Sequence, residues 1–211
     1  RYLFAIFLIS FTLFLFIPNF FNYEKKVETI KDSLLKNYNL DIKNYENVEF
    51  NSLPLPSLEI KNTTLSFQST TQELFVKNLR IYPNFLSIYN YKDFQINKIS
   101  LSKIRITTDV NDFKYLIIYL INQKKKLFLD NLELKIINGN ENLIKLKNVK
   151  FLNYGYNKNK VTGELFGKKF LTKVTNDFDK VIFKLINTGV SVELNLDERK
   201  NNDLISGIVK S

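Results

Sequence analysis

The chain has 211 residues with a formal net charge of +10, and it contains no Cys, His, Met or Trp. That composition removes thiol nucleophiles, disulfides, imidazole bases and the usual zinc or copper ligand sets. A carboxylate-only metal or catalytic site is still open to it, but the acidic residues are scattered, with Glu193, Asp197 and Glu198 the nearest approach to a cluster. The expectation is therefore no catalytic residue, no metal and no cofactor. The lysines are spread through the strands, with a run of three only at Lys124, Lys125 and Lys126, so the charge predicts no nucleic-acid partner.

Tyr2 to Ile17 carries no charge and only Ser10 and Thr12 as polar residues. With the Pro18–Tyr23 edge, including Phe20, Phe21 and Tyr23 as interfacial aromatics, it approaches the roughly 20 residues of a membrane span. Small residues in a cleavage arrangement are lacking, so residues 1–23 read as an uncleaved transmembrane signal anchor. Because no Met is present, residues are expected to precede Arg1, and the closing LISGIVKS reads as the middle of a strand pattern. Residues 24–211 then form one β-rich domain, with the body on the exported side.

From Glu24 to Tyr38, Val27, Ile30, Leu34, Leu35 and Tyr38 recur at helical spacing, which predicts a short amphipathic helix capping the sheet. Asn39 to Phe50 reads as the first strand, separated from the next by Pro54 and Pro56. Over 53–110 one pattern repeats: LEIKNTTLSF, LFVKNLRIY and FQINKISLSKIRI, each an apolar pair spaced by two, a polar break holding an Asn, and a second pair. It returns as LFLDNLELKI and LIKLKNVKFL. The breaks are Asn62, Asn78, Asn97, Asn131 and Asn148, spaced by roughly 17 residues with one doubled step after Asn97. Where an odd number of residues separates the pairs, a bulge must absorb one residue to keep both on one face, and Asn tolerates the left-handed backbone that a bulge can demand.

Pro83 to Ile88 predicts a turn or single helical turn, and Asn111 to Gln123 a helix that is apolar nearly all round. After Leu152 the pattern becomes a meander at about 160–166, 169–175, 180–186, 190–196 and 204–209. Its turns fall at Gly167-Lys168, Asn176-Asp177 and Thr188-Gly189, and one apolar face is expected from Phe178, Ile182, Val190, Val192, Leu194 and Leu196. The fold class is mainly β with few helices: a transmembrane helix, a short amphipathic helix, then a bulged antiparallel sheet curved as a groove or a sandwich.

The order of parts, from the anchor through IPNFFNY, the helix, NSLPLPSLEIKNTTLSF and ELFVKNLRIYPNFLSIYNYKDFQINKISLSKIRITTDV, resembles the N-terminal region of the AsmA family. The resemblance covers about residues 1–110 and rests on arrangement, with no catalytic motif. It implies a single-pass inner-membrane protein of a Gram-negative bacterium with its bulk in the periplasm. It also implies a curved β groove related to bridge-like lipid transfer proteins, acting in lipid transport to the outer membrane and in its assembly and integrity. Membrane lipids, through phospholipid acyl chains, would be the partners, with other envelope proteins besides. Candidate groove-lining residues are Leu58, Ile60, Leu74, Val76, Phe94, Ile96, Ile104 and Ile106. The residues leave two readings open: an open lipid groove, or a packed core filled by side chains and the 111–123 helix. The second reading makes the chain a membrane-anchored scaffold that docks partners through its strand edges.

Overall fold

The architecture follows from strands that alternate apolar and polar residues and must cover one face. The computed structural model describes residues 1–52, 54–67, 73–89, 94–139, 141–154, 159–174, 180–196 and 205–210. Three α-helices precede or interrupt the strands: α1 (Tyr2–Phe16), α2 (Val27–Tyr38) and α3 (Val110–Asn122). The strands are β1 (Leu40–Asn44), β2 (Asn47–Asn51), β3 (Ser57–Phe67), β4 (Glu73–Pro83), β5 (Ile96–Asp109), β6 (Lys126–Asn138) and β7 (Glu141–Asn153). β8 (Asn159–Leu165), β9 (Lys168–Val174), β10 (Lys180–Leu185), β11 (Ser191–Leu196) and β12 (Ile205–Lys210) follow. All twelve belong to one open sheet of order β1-β3-β4-β5-β6-β7-β8-β9-β10-β11-β12, with β2 also on β3. A single sheet sets aside the sandwich.

Two topological expectations need correction. β5 and β6 are parallel, because α3 carries the chain back before β6 starts, so the sheet is not wholly antiparallel. The predicted first strand is split into β1 and β2, which pair with opposite halves of β3. The meander, the turn at Phe85–Ile88 (a 3₁₀ helix) and α2 fall where the sequence puts them. Asn176-Asp177 and Phe178 lie outside the described residues.

The predicted anchor over 1–23 is also corrected. α1 has 15 residues and gives way to a 3₁₀ turn at Ile17–Phe20, where Pro18 withdraws a backbone donor. At 1.5 Å per residue it is about 22 Å long, short of a hydrocarbon core of about 30 Å. No helix among the described residues is long and apolar enough to cross a membrane. Of the expected interfacial aromatics, Phe20 is exposed, but Tyr23 is buried: it stacks on Phe50 and donates to the Pro18 carbonyl oxygen at 2.7 Å.

The Asn breaks form a line of kinks across the sheet. Asn62, Asn131 and Asn148 have φ of 46°, 53° and 51°. Lys103 has φ 54° and lies between the ladder pairs that put it level with Asn131. On each strand the buried residues change parity at this line: Leu58 and Ile60 give way to Thr63, Leu65 and Phe67, and Leu127 and Leu129 to Leu132, Leu134 and Ile136. One residue per strand is absorbed there, so both halves face the same core. Asn78 and Asn97 are not left-handed. β4 changes phase around Lys77 and Asn78 without that geometry, and Asn97 is the extra residue where pairing slips between Tyr82 and Pro83. The line reaches β8 at Gly163, which faces both Asn148 and Val149. A Cβ there would meet the Phe170 ring at 2.8 Å, so only glycine fits without displacing that ring.

Candidate apolar face

Residues paired across neighbouring strands share a face, so register alone identifies a row running the width of the sheet. It reads Val48, Ile60, Leu79, Leu101, Leu129, Phe151, Val161, Thr172, Phe183, Val192 and Val209, from β2 to β12. Only Thr172 is polar. Eleven strands at about 4.8 Å spacing make an apolar strip about 48 Å long, perpendicular to the strands.

Cover over the strip is uneven. Ile30, Leu34 and Tyr38 of α2 and Leu116 of α3 join the buried cluster formed by β1, β3–β7 and Phe170 of β9, and Phe113, Tyr119 and Leu120 of α3 pack against it. Ile60 is 0 %, Leu101 1 % and Phe151 2 % exposed, whereas Val161, Phe183 and Val192 are half-buried and Val209 is 70 % exposed. The same apolar face is thus packed at one end and open at the other. The open end carries Val161, Val181, Phe183, Leu185, Val192 and Leu194 on one side of β8–β11, while Phe170 on the same face is buried at 3 %.

All eight residues expected to line a groove lie in the packed end. Leu58, Ile60, Leu74, Val76, Phe94, Ile96, Ile104 and Ile106 are between 0 % and 7 % exposed and belong to one cluster with α2 and α3. The structure brings them together as core, because the amphipathic α2 and the largely apolar α3 cover that stretch. The open-end residues were half-legible: Val192 and Leu194 sit on the apolar face as expected. Ile182 does not, since it pairs with Glu193 and Lys173 on the opposite side. Register with β9 and β11, which one strand's sequence does not contain, decides this.

The outer face is polar and cationic. Lys61 pairs with Glu49 at 2.7 Å, Lys150 with Asp130 at 2.9 Å, and Lys180 with Glu193 at 2.6 Å. The Lys180 hydrogen bond holds the Glu193 carboxyl below the usual carboxylate range. Glu193 is thereby an ion-pair partner, and Asp197 and Glu198 lie outside the described residues. Lys98 rests over the Tyr82 ring at 3.9 Å.

A polar knot fastens the helices over the packed end. The Tyr119 hydroxyl donates to the Tyr38 carbonyl oxygen at 2.7 Å and accepts from Gln123 Nε2 at 3.2 Å. The Gln123 carbonyl oxygen accepts from Asn153 Nδ2. Burial raises the Tyr38 and Tyr119 hydroxyls well above the ordinary tyrosine range. In the unfolded chain both ionise near pH 10, while in the folded chain they stay protonated. The contribution is therefore complete below pH 10 and is lost as pH rises beyond it. Thermal melts are expected to show Tm falling from pH 9 to 11, with a shallower fall in Tyr119→Phe. That variant also loses roughly 1–3 kcal/mol at neutral pH through the unsatisfied partner groups.

No protein-family model matches the chain, and no curated protein matches it in sequence.

Proposed function

We propose that this chain handles lipid at a membrane without catalysing a reaction, its open apolar face holding phospholipid acyl chains. The observation that carries the reading is the cross-sheet row, continuous in side chain but covered by helices only over its first half. Each acyl CH₂ moved from water onto such a face contributes about 0.8 kcal/mol.

α1 supplies the membrane side of the proposal. Tyr2, Leu3, Phe4, Phe7 and Leu13 are each more than 60 % exposed, a surface that suits lipid tails and not water. The AsmA resemblance makes the inner membrane, with the body in the periplasm, the proposed location. It makes lipid transport toward the outer membrane, and that membrane's integrity, the proposed role. The packed end would be the fixed base of the groove.

Native mass spectrometry of the full chain purified in mild detergent tests this. Phospholipid is expected to co-purify with the wild type and to be lost in Phe183→Arg, which puts a guanidinium on the open strip. A lipid-free wild type, or lipid retained equally by the variant, would remove the groove.

One feature favours a second reading, a scaffold that docks envelope proteins. The edge strand β12 is unpaired on its outer side among the described residues, with Ile208 58 % and Val209 70 % exposed. That reading predicts partner capture sensitive to substitutions in β12 and indifferent to Phe183→Arg.

A further inference from the structure

Where α1 leaves the body, three connections lie side by side. Leu58, Ile81, Ile99 and Leu127 are in register, so the described link residues 54–56, 84–89 and 123–125 lie at one end of the sheet. α1 is pinned to this end: Tyr89 stacks on Phe14 at 4.5 Å and donates to its carbonyl oxygen at 2.6 Å. Phe50, at the end of β2, holds Tyr23 with ring centroids 5.5 Å apart. Two of the connections lift an apolar tip into solvent, Leu55 at 59 % and Leu86 at 71 % exposed. The third carries exposed Lys124 and Lys125, continued by Lys126, with Lys25 at the foot of α1. Among the described residues the acidic side chains near this end include Glu24, Glu49 and Glu59, and Glu49 is already paired with Lys61 and Glu59 with Arg80.

We propose that this end of the sheet is a rim that rests on an anionic lipid surface, with Leu55 and Leu86 entering the acyl boundary and Lys124 and Lys125 on lipid phosphates. Exposed apolar tips beside a cationic connection match the layered chemistry of a bilayer interface, apolar below and anionic above. Water offers nothing to the tips, and no other part of the described chain covers them. Continuity with the exposed apolar surface of α1 fixes a bilayer as the occupant. The rim would set the sheet's attitude to the membrane, which a single helix cannot do. The inference rests on the reading that α1 enters lipid.

The chain has no Trp, so one introduced indole reports one place. In the full chain bound to mixed phosphatidylcholine–phosphatidylglycerol vesicles, L55W and L86W are expected to shift to the blue and to be quenched by brominated acyl chains. F166W, exposed in the turn between β8 and β9 at the opposite end of the strands, is expected to do neither. K124E/K125E is expected to weaken binding by about 25-fold or more on these vesicles, at roughly fivefold per lysine, and not on phosphatidylcholine alone. Unquenched L55W and L86W alongside a quenched F7W in α1 would overturn the rim while leaving the α1 reading intact. An unquenched F7W would overturn both. Quenching at the rim that is indifferent to lipid charge and to K124E/K125E would overturn the anionic preference.

Discussion

Leu101→Arg is expected to abolish the cooperative melt, while Val192→Arg leaves Tm within a few degrees of the wild type. Both residues stand in the same cross-sheet row, and both changes put a guanidinium where an aliphatic side chain was. Leu101 is 1 % exposed within the cluster that α2 and α3 close. An unpaired charge there costs several kcal/mol in effective terms, a large share of a total stability of about 5–15 kcal/mol. Val192 is half-buried where no helix among the described residues covers the sheet, so the longer side chain can carry its charge to water along its own stem. Circular dichroism melts of the two variants decide between a face that is part packed and part open and one that is packed throughout. Equal loss in both would mean that the second half is also filled. The same argument applies to Ile96→Arg: at 4 % exposure Ile96 is core, and its substitution reports folding and not lipid binding.

The second large effect belongs to the line of kinks. Asn131→Val combined with Asn148→Val is expected to lower stability by roughly 2–4 kcal/mol, at 1–2 kcal/mol for each side chain forced into the left-handed region. The two sites have φ of 53° and 51° and sit on paired strands. Relaxing either residue to extended backbone would remove the phase change and turn Leu132 and Leu134, or Val149 and Phe151, away from the core. Asn→Gly at both sites keeps the geometry and is expected to stay within about 1 kcal/mol of the wild type. Urea midpoints for the two double variants separate a backbone requirement from a loss of asparagine contacts, which would make them fall together.

What sequence revealed here was local. Strand spans, the meander turns and α2 depend on periodicity and turn chemistry within a few residues. The asparagines at 62, 131 and 148 announce the kinks because Asn takes φ > 0 at low cost. Lys103 makes the same kink without any such announcement; the level of Asn131 on the neighbouring parallel strand places it there. The parallel step was hidden for a related reason: a helix between two strands shows in the pattern, but not the direction in which it returns the chain. The apolar stretch before Pro18 counted as nearly long enough for a span, and the backbone change at the proline divides it. The division of the apolar face was the least accessible part. The strip residues Leu79 and Phe183 look alike in sequence, and only the placement of α2 and α3 makes one core and leaves the other uncovered.

The alternation of faces in β10, β11 and β12 gives the most direct test of an open lipid-binding strip. A photoreactive residue placed one at a time at Val181, Val192 and Val209, and at Ile182 and Ile208 on the opposite face, can be irradiated in the full chain reconstituted with phospholipid. Lipid adducts are expected at the first three positions and absent from the other two. Adducts on neither face, or equally on both, would contradict the account, since a sheet whose two sides meet lipid alike has no groove.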